Sequence, residues 1–255
     1  MQIRIAQDAP ATAHAGALVV PVFSDGELTG PAKDLDAALG GAIAEILQSG
    51  EIKGKANEVA LVHAKDQPFH RVLVIGLGES GKFETQALAR YAGTAVRYLA
   101  RRNISDIAIA LPPQAAGQEA ASAAFVAEGA IGGSFDTTIY QGTPEKRNTV
   151  ESVSVLVNAL DASAAQRGLD RGIAVGEGVN FARRLALTPA NDMTPTILAG
   201  EAVQAANVSG VEVEIFDEDR ARKEGMGSFL SVAQGSAQPP KFIVLRYNGD
   251  PESKE

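Results

Sequence analysis

The sequence predicts an α/β protein whose first 160 residues build a largely parallel sheet covered on both faces. Two observations predict it. Continuous Val/Ile/Leu runs such as ALVVPVF (Ala17–Phe23) and RVLVIGLG (Arg71–Gly78) read as strands buried on both sides. Helical stretches separate these runs, as βαβ crossovers require.

Taken in order, Ala17–Phe23 is the first buried strand. In PAKDLDAALGGAIAEILQSG, Leu35, Leu39, Ile43, Ile46 and Leu47 keep helical spacing and Gly50 stops the helix. NEVALVHA and Arg71–Gly78 are two more strands. Lys82–Arg102 is a long helix with Leu88, Tyr91, Ala95, Val96 and Leu99 on one face. Asp106–Leu111 is a strand closed by Pro112 and Pro113, Ala120–Ile131 an Ala-rich helix, Thr143–Thr149 a loop and Val150–Asn158 a strand. Asp161–Leu187 is a long helix that carries Gly172, Gly176 and Gly178. Helical glycines cost roughly 1 kcal/mol each, which suits close backbone packing. Thr194 caps a helix from Pro195 to Ala206. Val211–Asp217 alternates as a strand, and SFLSVAQ and KFIVLRYN read as two more, the last interior to a sheet.

Composition narrows the function. With 255 residues, 45% of them hydrophobic, the chain can bury a sizeable core as one large or two modest domains. A net charge of −8 makes nucleic acid an unlikely partner. There is no cysteine, so disulfides, thiolate nucleophiles and Cys-based zinc sites are excluded. No secretory h-region and no membrane-spanning run is present, so a cytoplasmic protein is expected.

The motifs are weak. Gly76–Gly81 (GLGESG) satisfies G-x-G-x-x-G between a strand and a helix, yet no acidic residue ends the next strand. A plain strand–turn–helix junction is the better reading. His14, His63 and His70 lack metal-ligand spacing and read as solvated or capping residues. Ser24-Asp25-Gly26 and Ser228 sit in no hydrolase motif, and no His follows Ser228. Asp217, Glu218 and Asp219 suit a helix N-terminus. Arg167, Arg171, Arg183 and Arg184 read as helix-surface charge, with an anion or interface contact as the alternative. Asn191, between Pro189 and Pro195, reads as a turn residue.

Four blocks carry a resemblance. ARRLALTPANDMTP (Ala182–Pro195), GVEVEIFDED (Gly210–Asp219), GMGSFLSVAQGSAQPP (Gly225–Pro240) and FIVLRYNG (Phe242–Gly249) together resemble the leucyl (cytosol) aminopeptidase family. The resemblance implies a macro-like three-layer N-terminal domain over residues 1–160 and a connector helix over 161–187. Residues 188–255 would be the first, incomplete part of a second α/β catalytic domain. It further implies a hexamer that removes N-terminal residues from peptides with a free N-terminus, using two divalent metal ions, zinc or manganese. The family's GKG…FDTGG-type and NTDAEGR-type blocks are missing from these residues. No catalytic, cofactor-binding or metal residue is therefore assigned, no metal is expected in this chain, and the chain alone is expected to be inactive. The alternative is a macro-like nucleotide or ADP-ribose module resting on Gly76–Gly81.

Overall fold

The structure is a computed structural model that describes residues 1–65, 67–140 and 148–249. Most of the expected loop Thr143–Thr149 lies outside the described residues. The chain divides into two compact units, Met1–Phe181 and Ala182–Glu255.

The first unit is a six-stranded sheet. Its strands are β1 (Gln2–Ala6), β2 (Ala17–Val22), β3 (Val59–His63), β4 (Arg71–Gly76), β5 (Asp106–Ala110) and β6 (Ser152–Leu156), in the order β1-β6-β5-β2-β4-β3. All neighbours are parallel except β3, which runs antiparallel to β4. Every residue of the central strand β2 is buried, whereas the edge strands β1 and β3 are only part-buried. Pro21 sits in β2 despite its missing N–H. The β2–β5 ladder stops at Val19, so Pro21 falls where only β4 still pairs with the strand.

Because side chains alternate across a strand, the sheet feeds two cores. Val19, Leu73, Ile75, Ile107, Ile109, Val153 and Val155 meet α3 (Ala87–Ala100), α4 (Glu119–Ser134) and α5 (Ala162–Leu187) on one face. Leu18, Val20, Val72 and Val74 meet α1 (Gly30–Ala38) and α2 (Ala42–Gln48) on the other. The single helix expected across residues 31–50 is thus two helices. Gly40 and Gly41 adopt φ of 66° and 91° between them, a conformation that ends a helix. The Asp36 carboxylate then accepts the backbone N–H groups of Ile43 and Ala44 at 2.7 and 3.1 Å, starting α2. α3 begins at Ala87 rather than Lys82, after a 3₁₀ turn at Ser80–Lys82.

α4 is Ala- and Gly-rich because it lies between two helices at close range. A side chain added at Gly129 would overlap the Ala89 carbonyl, and one at Gly133 would reach Gly93 Cα at 2.8 Å. On its other flank, Gly168 and Gly172 of α5 leave no room beside the carbonyls of Ala120 and Ala124. A Cβ on Gly176 would stand 3.1 Å from Ile131 Cβ and 3.3 Å from Glu128 Cα. Gly172 and Gly176 therefore face a packed neighbour, as their cost in helix propensity suggested. Gly178 does not: among the described residues nothing lies within 4 Å of its would-be side chain. Asn180 Nδ2 donates to the Ile131 carbonyl at 2.8 Å, satisfying an acceptor in the last turn of α4.

The second unit holds α6 (Pro195–Ser209), β7 (Glu212–Phe216), α7 (Glu218–Lys223), α8 (Gly227–Ala233) and β8 (Phe242–Arg246). Thr194 Oγ1 accepts the Ile197 N–H and caps α6, and Gly210 at φ 68° follows its end. Asp217 caps α7 by accepting the Arg220 N–H at 2.9 Å. SFLSVAQ is a helix and not a strand, since so short an apolar run carries no decisive period. Its Phe229 packs edge-on against Phe242, 5.6 Å between ring centres. β8 is not interior: among the described residues it pairs only with β7, and Leu245 is 54% exposed.

Two outcomes follow for stability. Gly172→Leu drives a side chain into the α4 backbone and should cost about 3 kcal/mol or more, while Gly178→Ala should gain about 0.5–1 kcal/mol. Urea unfolding of the two variants beside the parent chain checks both signs. Residues 1–181 should also unfold cooperatively at a higher temperature than residues 1–160. The shorter piece strips α5 from the Gly168–Gly176 contact, and thermal melts followed by circular dichroism read the difference.

Candidate functional site

In an open α/β sheet the usual place for a ligand is the crevice outside the carboxyl ends of the strands. Here three loops meet there: Phe23–Thr29 after β2, Leu77–Gln86 after β4 and Leu111–Gln118 after β5. The loops are fastened to one another. Ser80 donates to the Asp25 carboxylate twice, through its backbone N–H at 2.8 Å and its hydroxyl at 3.0 Å. The Ser24 N–H donates to the Gly78 carbonyl at 2.9 Å. Phe23 and Phe83 meet edge to face, 5.9 Å between centres. Gly30 lies so close to Pro113 that an added Cβ would stand 2.6 Å from its ring.

These contacts decide the Gly76–Gly81 motif. Four of its six amides are already donating within the protein: Gly76 to the Glu58 carbonyl, Leu77 to Val22, Gly78 to Gly54 and Ser80 to Asp25. A pyrophosphate cradle needs those N–H groups free. Gly76 is glycine because a side chain there would overlap Gly54 and Lys55, and Gly78 because its φ is 87°. The junction is structural, and the Asp25–Ser80 lock was invisible in sequence because 55 residues separate the partners.

At this edge a pocket of about 130 Å³ lies beside the end of β4, lined by Asn57, Leu77, Phe83, Glu84, Ala87 and Arg90 among others. A larger cleft of about 510 Å³ lies at the opposite, amino end of the strands, between Gln2, Ser105, Asp106, Glu151 and Ser152.

The remaining sequence candidates do not converge. His14, His63 and His70 are all exposed. Among the described residues no group of three or more His, Asp or Glu side chains could hold a metal ion, so these residues do not fit a metal pair. In the second unit Arg184 pairs with Glu201 at 2.7 Å, and that guanidinium holds the Glu201 carboxyl below the usual range. Glu214 is lowered likewise, first by Arg220 at 2.6 Å and then by Arg246 at 3.1 Å. Arg220 also stacks on Phe216, 3.9 Å from the ring centre. Asn191 donates to the Asp192 carboxylate, a local turn contact. The contacts of Glu214 and Phe216 with Arg220, and of Glu214 with Arg246, hold β7, α7 and β8 together.

Two family descriptions match the chain in succession: the N-terminal domain of the cytosol aminopeptidase family over residues 19–144, and that family's catalytic domain over residues 180–255. The chain belongs to the cytosol aminopeptidase family. A protein of Solibacter usitatus named "Probable cytosol aminopeptidase" is 38% identical over 248 residues, covering 97% of this chain and 48% of that protein. A protein of the same name from Xanthomonas campestris is 36% identical over 259 residues, covering 100% and 51%. The chain spans about half the length of the curated relatives it matches. Among solved structures, a tomato leucine aminopeptidase mutant matches with a TM-score of 0.84 at 23% identity, over 96% of this chain and 50% of that one. The bottromycin maturation enzyme BotP in complex with Mn matches with a TM-score of 0.70 at 21% identity, over 92% and 45%. Both likenesses speak to fold. No helix among the described residues is long and apolar enough to cross a membrane.

The lock at the crevice makes one measurable claim. Chiefly the Ser80 N–H, and then its hydroxyl, hold the Asp25 carboxyl below the usual aspartate range. A lowered carboxyl favours the folded state above its unfolded midpoint, and that contribution is lost as pH falls through the folded midpoint. Carbon-detected NMR titration should place the Asp25 midpoint below that of an unperturbed aspartate. In Ser80→Ala it should rise part of the way back, because the backbone donor survives.

Proposed function

We propose that these 255 residues are the N-terminal domain, connector helix and opening of the catalytic domain of a metal-dependent aminopeptidase. The domains would run over 1–160, 161–187 and 188–255. The whole protein would act in the cytoplasm as a homo-hexamer on peptides with a free N-terminus. Two divalent ions, zinc or manganese, would be held by groups outside these residues, and none of the residues present would be catalytic. The observation that carries this reading is the succession of the family's two domains along one chain, at 19–144 and 180–255. The names of the bacterial relatives support it, as does the manganese named for BotP.

The second unit supports it from another side. Among its described residues only Ala199, Ala206 and Ala221 are buried hydrophobics, while Ile197, Val232, Leu245 and Tyr247 are exposed. A two-stranded sheet with so little core is marginal alone and is completed by further layers. The nucleotide-binding alternative has no matching observation, since four of the six amides it would use already donate within the protein.

The test compares two proteins on a leucyl substrate. The 255-residue chain should release no leucine with or without Mn²⁺ or Zn²⁺. A longer product that carries the family's remaining blocks should release it, and a chelator should abolish the activity. Metal-stimulated release by the short chain would overturn the placement of the ligands. Failure of the longer product with either metal would overturn the aminopeptidase reading.

A further inference from the structure

We propose that the pocket beside the end of β4 is a binding site for a small apolar α-amino acid. Its lining carries the three chemistries that such a zwitterion presents. Arg90 supplies a guanidinium that has no hydrogen bond or ion pair among the described residues. A planar guanidinium is suited to a carboxylate. Glu84 supplies a carboxylate. One of its oxygens accepts from the Gln86 amide, and the other is left with acceptor capacity for an ammonium group. Leu77, Phe83 and Ala87 supply apolar wall, and the exposed Asn57 adds an amide at the rim.

Charge favours a zwitterion over the simpler ligands. Lys82 also lines the pocket, but Glu79 neutralises it at 2.8 Å. Arg90 and Glu84 then leave the site with one charge of each sign. A bare anion would meet the Glu84 carboxylate, and a bare amine would meet Arg90. A molecule carrying both charges has a partner for each. A volume of about 130 Å³ corresponds to roughly four waters, the scale of a small amino acid. The walls are set by rigid elements: Leu77 follows β4 and is 9% exposed, and Ala87 opens α3.

The site lies within Met1–Phe181 and its test reads binding, so its failure leaves the peptidase reading untouched. That reading enters only in the choice of leucine as first probe. Backbone amide NMR of the 255-residue chain is followed during titration with L-leucine, with 4-methylpentanoate (carboxylate only) and with 3-methylbutylamine (ammonium only). Leucine should give saturable shifts at Asn57, Leu77 and Ala87, and each single-charge analogue should bind at least tenfold more weakly. Arg90→Gln and Glu84→Gln should each weaken leucine at least tenfold. Arg101→Gln, an exposed arginine outside the pocket lining, should leave it unchanged. Absence of saturable shifts, equal binding of either analogue, or leucine affinity unchanged in both pocket variants would overturn the proposal. Spectra that otherwise superpose on the parent show that the variants are folded.

Discussion

The first unit depends on the near-contact of three helix backbones. α4 approaches α3 at its own Gly129 and Gly133, and α5 approaches α4 at Gly168, Gly172 and Gly176, so the glycine positions at both interfaces leave little or no room for a side chain. The mass of α4 goes instead onto the sheet through Ala123, Val126, Ala127 and Ala130. A chain with no Trp and 5% aromatics cannot fill wide gaps, and closing the helices up removes the gaps. The cost is helix propensity at each glycine, offset by dispersion contacts along two whole interfaces.

The same economy governs the carboxyl edge. Loops that in other α/β proteins stand apart around a ligand are here joined by Asp25–Ser80, Ser24–Gly78 and Phe23–Phe83. Tyr91 braces the edge from within, its hydroxyl donating to the Ala110 carbonyl at 3.0 Å, and burial pushes its phenol well above the usual value. A domain built this way serves as a scaffold first. That suits a chain whose family places its chemistry in another domain.

Much of this was legible beforehand, for identifiable reasons. β2, β4 and β5 are buried on both faces and read as unbroken apolar runs. β1 was not read as a strand, because Gln2 and Arg4 interrupt a five-residue edge segment whose partner β6 lies 150 residues away. The glycine pattern in α5 foretold close packing at Gly172 and Gly176 but also included Gly178, which has no neighbour. Sequence spacing marks where a backbone could come close, not where one does. The α1–α2 break turned on positive φ at Gly40 and Gly41, and the α8 helix on a contact between Phe229 and Phe242. The pocket was missed entirely, because Arg90 on the outer face of a helix reads as ordinary surface charge.

The glycine contacts also fix direction. Ala89 faces Gly129 and Gly93 faces Gly133, while Gly168, Gly172 and Gly176 meet α4 in ascending order, so α3, α4 and α5 all run the same way. Their peptide dipoles add instead of cancelling, and three partial positive poles gather along one rim of the sheet. The rim carries its own counter-charges: Asp161 accepts the Ser163 and Ala164 N–H groups, Glu119 sits in the first turn of α4, and Glu84 lies just ahead of α3. The field that would otherwise draw phosphates from solution is quenched at its source. A molecule reaching this rim meets balanced charge, and selection there falls to shape and to paired charges.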